Sequence, residues 1–221
     1  DGFVGLALLI VLRIGFPGLL KIRQAHFPYL VFFGLMLAVF NALWTLSVAL
    51  NGAAISTVLV YSSTAFTALL GRWLFREHLD WVRVSAIIFC LAGCALVSGA
   101  LTQQAWSLNS LGILTGLLSG LWYAIYTIMG KSAARRGLNP WTTLLFTFSF
   151  AACFLLVFNL IGVLLPGGMT LPGSASRLSD FLWLKDSAGW VILLVLAIGP
   201  TLLGFGLYNF SLKHLSSNLT N

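Results

Sequence analysis

The chain has 221 residues, 59% of them hydrophobic and only 8% charged, with a formal net charge of +7. Soluble domains carry about 25% charged residues, so this composition excludes a soluble globular enzyme and reads as a single integral membrane protein, multi-pass and placed in a cell membrane, whether plasma or bacterial inner. The basic excess sits in short breaks between apolar runs, which makes it a mark of membrane orientation rather than of nucleic-acid binding.

A spanning helix needs about 20 mostly apolar residues. Seven segments meet or approach that length, over residues 3–20, 28–50, 54–75, 82–101, 109–130, 141–165 and 189–212. The first holds Arg13 and ends on Pro17-Gly18. Residues 166–189 are rich in Pro, Gly and Ser and read as a loop. If the spans alternate, Lys21, Arg23, Arg72, Arg76, Arg83, Lys131, Arg135, Arg136 and Lys213 all fall on one side. Only Arg177 and Lys185 fall on the other, offset by Asp180 and Asp186. The bias puts residue 1 outside and residue 221 in the cytoplasm. Trp73, Trp81, Trp106, Trp141, Trp183 and Trp190 lie near span ends, as interfacial anchors do.

The segment Val60–Trp81 is unusual. Tyr61, Ser62, Ser63 and Thr64 put four hydroxyls in a row inside an apolar run, and Arg72, Arg76, Glu77, His78 and Asp80 crowd its far end. Cys90, Cys94 and Cys153 lie inside apolar runs without nearby His, Asp or Glu, so they read as small buried packing residues, and neither a metal site nor any other cofactor is expected. An Asn-Leu-Thr sequon at 218–220 falls on the cytoplasmic side and is not expected to be glycosylated.

A shift of 164 positions lays residues 43–57 over 207–221. Leu43 then meets Leu207, Trp44 meets Tyr208, and Ser47 meets Ser211. An odd number of spans separates the two stretches, so the two units are inserted upside down relative to each other, an arrangement found in transporters. The expected division is a first repeat over 1–101 and a second over 102–221. The same overlay predicts a fragment of a longer chain, with one span missing at the front and two at the back.

Residues 47–99, with a small-residue turn, a long helix, a charged link at Glu77 and a small-residue helix after it, resemble the drug/metabolite transporter superfamily in its EamA-type branch. Residues 117–131 resemble the opening helix of that family's second repeat, and 199–217 its third. Arg76 stands where the family often has glycine, and Thr64 or Ala65 where it often has proline. The resemblance implies an all-α, polytopic membrane bundle of ten helices in two inverted five-helix repeats, both ends cytoplasmic, of which this chain holds helices two to eight. It further implies movement of small metabolites, amino acids or drugs, often outward.

Inside a bilayer a polar side chain faces a partner or a cavity. Four stripes stand out at helical spacing: Asn41 with Trp44; Tyr61 and Thr64 with Ala68; Ser119, Trp122 and Tyr126, with Tyr123 beside them; and Thr201, Phe205 and Tyr208. Each alone reads equally well as packing. Together they outline an aromatic cavity with a few hydroxyls, suited to a small organic molecule. Gly112, Gly116 and Gly120 recur every four residues, as close helix contact requires, and the same closeness would serve a sliding surface. Gly199-Pro200 would break its helix. No Asp or Glu lies within a span, so no carboxylate proton relay is visible. The expected partners are a small-molecule substrate and the lipid bilayer, with a homodimer left open and no nucleic acid. A seven-helix receptor and an intramembrane enzyme are the alternatives. The repeat argues against the first. The lack of paired carboxylates, a metal cluster or a Ser/His arrangement argues against the second.

Overall fold

The computed structural model describes residues 26–76, 80–97 and 109–164, and the single positions Val191, Val195, Gly199, Gly204, Leu207 and Tyr208. Six α-helices lie among them: α1 (Phe27–Asn51), α2 (Ala53–Tyr61), α3 (Ser63–Phe75), α4 (Trp81–Val97), α5 (Ser110–Arg135) and α6 (Pro140–Leu164). The predicted spans at 28–50, 54–75, 82–101, 109–130 and 141–165 correspond to α1, α2 with α3, α4, α5 and α6. Those at 3–20 and 189–212 lie outside the described residues, apart from the single positions. Four stretches are long and apolar enough to cross a membrane: Phe27–Asn51, Ala53–Phe75, Ser110–Arg135 and Pro140–Ile161. Helices are the natural answer to such sequences, because a helix satisfies its own backbone where no water is present.

Local chemistry sets the helix ends. At the close of α5 the Leu138 N–H donates to the Ala133 carbonyl and the Gly137 N–H to that of Ala134. Gly137 has φ 75°, the left-handed setting this cap needs and glycine adopts without penalty. Two residues on, the Asn139 side chain accepts from the Trp141 N–H at 3.0 Å, and Pro140 opens α6 where its missing donor costs nothing. The α5–α6 turn is therefore written into five consecutive residues. The end of α3 uses the same left-handed device without glycine. Arg76, at φ 56° and ψ 34°, donates its N–H to the Gly71 carbonyl.

The chain divides into two compact units, one of residues 1–38 and 130–215, the other of 39–129 and 216–221. In the first, Leu30, Phe33 and Leu37 of α1, Ala133 of α5, and Leu144, Phe148 and Ala151 of α6 are buried. Gly34 lets α1 meet α6. A Cβ there would lie 2.5 Å from that of Phe150 and 3.0 Å from the Thr147 carbonyl oxygen. The Phe27 and Phe150 rings meet edge to face at 5.3 Å. The Arg136 guanidinium lies 4.4 Å from the centre of the Tyr29 ring, and the Tyr29 side chain also bonds to that of Ser132. Of the basic residues that mark this end in the sequence, Arg135 and Arg136 are exposed, but Lys131 is only 7% exposed and engaged inside the fold. Cys153, expected to be a packing residue, is exposed on α6.

In the second unit, α2 packs on α4. The α5 surface is sorted by size more than by polarity. Leu111, Leu114 and Leu118 are exposed on one side, whereas Gly112, Thr115, Gly116, Ser119 and Gly120 are buried on the other. Lipid tails are as apolar as leucine, so the buried side is the one whose small residues allow close packing.

Two stability outcomes follow from these ends and cores. The Thr147 hydroxyl is fully buried and has no hydrogen-bond partner among the described residues. Thr147→Val keeps its shape and is expected to stabilise the folded protein by about 1 kcal/mol in detergent thermal unfolding. Arg76→Gly removes a left-handed side-chain penalty and should also stabilise, by about 1 kcal/mol. A lower midpoint in either variant would contradict the account given for that residue.

Candidate functional site

The second unit holds seven of the nine residues singled out in the sequence: Asn41, Trp44, Tyr61, Thr64, Ser119, Trp122 and Tyr126. Tyr208 is half-buried in the other unit, and Thr201 lies outside the described residues, as do Arg13 and Pro200.

The frame of this unit is the glycine side of α5. A Cβ on Gly112 would collide with the Asn51 side-chain amide and lie 2.9 Å from the Cβ of Leu50. One on Gly116 would lie 2.6 Å from Leu59 Cδ1 and 2.8 Å from Ser47 Oγ. One on Gly120 would lie 2.6 Å from Ser62 Oγ and 3.2 Å from the Leu59 and Val60 carbonyl oxygens. The α5 backbone therefore touches α1 near its end and α2 near its own, at Leu59 and Val60.

Hydrogen bonds cross the same seam. Ser47 Oγ lies 2.8 Å from the Gly112 carbonyl oxygen and 2.9 Å from Ser56 Oγ. A carbonyl only accepts, so the one Ser47 proton goes to Gly112 and Ser56 donates to Ser47. Two buried hydroxyls thus tie α1, α2 and α5 together. Nearer the end of α1, the Asn51 amide behaves as a peptide group. It donates to the Asn109 carbonyl at 3.2 Å and accepts from the Asn109 N–H at 2.9 Å. The Asn109 side chain accepts from the Leu111 N–H at 2.9 Å and so caps α5.

Further along the same two helices an aromatic row takes over. The Phe40 ring of α1 lies 5.0 Å from Tyr123 of α5, and Tyr123 stacks on Tyr126 at 6.0 Å. Asn41 adjoins Phe40 in sequence, Trp44 stands one turn further along α1, and Trp122 adjoins Tyr123. Both tryptophans are half-buried and Tyr126 is 1% exposed. The predicted stripes on α1 and α5 thus belong to helices joined by this row.

The third stripe has a different setting. Tyr61 is 45% exposed, Thr64 is half-buried and donates to the Tyr61 carbonyl at 2.9 Å, and Ala68 is buried. The hydroxyls buried on α2 and α3 are instead Ser56, Ser63 and Thr67. Their spacing of seven and then four residues is itself a helical signal, which the adjacent run of four hydroxyls obscured. Phe40 and Ser47 were hidden for a simpler reason: one more Phe or Ser in an apolar helix announces nothing about which side it takes.

The hydroxyl run does shape the helix. Ser62 Oγ donates to the Leu59 carbonyl at 2.6 Å, and the Ser62 N–H reaches the same carbonyl at 3.2 Å. This tighter turn separates α2 from α3 without a proline. Ser119 and Thr127 likewise return to their own helix, on the Gly116 and Tyr123 carbonyls. Such hydroxyls are already satisfied, which leaves aromatic faces as the main chemistry on offer. No group of three or more His, Cys, Asp or Glu that could hold a metal occurs among the described residues. A surface of this kind holds organic molecules by dispersion and offset stacking, and organic cations by attraction to the ring faces.

The seam makes a mutational contrast. Gly116→Val is expected to cost about 1–3 kcal/mol, because Leu59 and Ser47 must move. Gly93→Ala on α4, where an added Cβ would meet nothing within 4 Å, should instead gain about 0.5–1 kcal/mol of helix propensity. Thermal unfolding of the two variants side by side checks both signs.

With this geometry in place, comparison with known proteins is direct. A Bacillus subtilis (strain 168) protein named "Uncharacterized transporter YxxF" is 41% identical over 80 residues, a stretch that is 34% of this chain and 24% of the relative. The match thus spans about a quarter of that relative's length. A crystal structure of another protein superposes over 99% of this chain and 68% of its own with a TM-score of 0.67, at 19% identity. That likeness shows a shared fold. The EamA-like transporter family matches residues 2–99 and again 110–220. The matched stretches take in nearly the whole sequence, and together with its apolar spans they make this integral, multi-pass membrane chain a member of the EamA-like transporter family.

Proposed function

We propose that the full-length protein moves small organic metabolites, such as an amino acid, a drug or a related solute, out of the cell by alternating access, without nucleotide hydrolysis. Aromatic side chains line the path. The observation that carries this reading is the row Phe40–Tyr123–Tyr126, set on helices that also bear Asn41, Trp44, Ser119 and Trp122. Such a row offers π-faces and little fixed charge, which favours neutral or cationic organic solutes over inorganic ions. Tyr61, Thr64, Thr201 and Tyr208 complete the proposed lining.

Two consecutive family matches, over 2–99 and 110–220, support a two-repeat division near residues 101 and 102. In an inverted-repeat transporter the substrate meets both repeats near mid-membrane and one repeat rocks against the other. The basic residues collected on one side favour a cytoplasmic end for α3 and α5. The Bacillus subtilis relative is named a transporter without a substrate, so its name adds none.

The test is transport of a metabolite panel by the full-length protein in proteoliposomes or cells, comparing the parent with Trp44→Ala, Trp122→Ala and Tyr208→Ala. For at least one transported solute, each variant is expected to lose about tenfold or more in rate while inserting normally, the cost of removing one desolvated aromatic contact. Parent-like transport of every solute by all three would overturn the lining.

A further inference from the structure

The link between α3 and α4 carries two features that the transport reading does not use. Trp73 and Trp81 are 81% and 86% exposed, more than the other large hydrophobic side chains exposed among the described residues. Arg72 and Arg76, close by in the chain, are exposed as well. Asp80, also exposed, is the one described carboxylate in this link, and no ion pair joins it to either arginine among the described residues. Two guanidinium groups and one bare indole therefore lie at the end of α3, and a second bare indole opens α4, all within ten residues of sequence.

Each feature has a natural counterpart in the same ligand. An indole at a span end places its ring at the headgroup level, with its apolar body toward the acyl chains. A guanidinium presents a planar fork of donors that matches phosphate oxygens. Arg76 adds a third point. Its left-handed backbone would be relaxed by glycine, so the backbone does not account for a long cationic side chain here. A soluble acidic partner would satisfy the arginines but leave the indoles unexplained. The charge bias of the whole sequence puts this end in the cytoplasmic leaflet, where anionic lipids attract basic residues.

We propose that Arg72, Arg76, Trp73 and Trp81 form a binding site for the headgroup of an anionic phospholipid. The site selects anionic over zwitterionic lipid through the two guanidinium groups, while the indoles hold the glycerol and upper acyl region of either lipid.

Native mass spectrometry of the full-length protein, in detergent with equal phosphatidylglycerol and phosphatidylcholine, tests this. The parent is expected to retain more phosphatidylglycerol. Arg72→Gln/Arg76→Gln should weaken that retention about tenfold or more, at about fivefold per arginine. Arg135→Gln/Arg136→Gln removes the same charge from another exposed helix end and should change it less than twofold. Trp73→Leu should weaken retention of both lipids. Thermal unfolding confirms that each variant is folded. Equal retention of the two lipids by the parent would overturn the proposal. So would equal losses in the two arginine double variants, which would mean diffuse attraction by net charge. Competition by inorganic phosphate at the same concentration as phosphatidylglycerol would overturn the lipid assignment too, because a free anion would then suffice.

Discussion

Close approach of backbones at Gly112, Gly116 and Gly120 is the constraint on which the described part of the second unit depends. Each glycine faces a particular neighbour: the end of α1 at Gly112, Ser47 and Leu59 at Gly116, and the α2–α3 break at Gly120. In water, helices are driven together by hiding apolar surface. In a bilayer that drive is absent, and contact must come from fit and from hydrogen bonds. The glycines provide the fit. They also bring the Gly112 carbonyl within reach of Ser47, so the interhelical hydrogen bond depends on the missing side chains. The leucines on the opposite side of α5 stay exposed.

The same shortage of water governs the hydroxyls. A serine or threonine in a span has one acceptor close at hand, the carbonyl one turn back. Thr57, Thr64, Thr115, Ser119 and Thr127 all take it. Where another helix comes close enough, as at Ser47 and Ser56, a hydroxyl reaches across. Among the described residues, hydroxyls such as that of Ser119 serve their own helix, while those of Ser47 and Ser56 tie helices together. The aromatic row Phe40–Tyr123–Tyr126 continues from the tied region.

Helix ends follow a third rule, one that is local and independent of packing. Gly137, Asn139 and Pro140 close one helix and open the next through bonds confined to residues 133–143. Arg76 shows the rule under tension. The position takes a left-handed backbone and the chain supplies an arginine.

The sequence alone determined the membrane class, four stretches within the described residues that are long and apolar enough to cross a membrane, the family, and the α5–α6 turn. All of these rest on composition, apolar run length or short-range bonds, quantities that do not depend on which helices meet. It also marked Gly112, Gly116 and Gly120 as a contact surface, because a four-residue period of glycines has few other uses. Tertiary structure alone decided which helices use that surface, that Ser47 joins two of them, and that Phe40 meets Tyr123. It also decided that Ser56, Ser63 and Thr67, rather than Tyr61 and Thr64, are the buried hydroxyls of α2 and α3. The reason is physical: when both sides of a helix are apolar, periodicity carries no direction, and only the neighbours that come close decide which side is the inside.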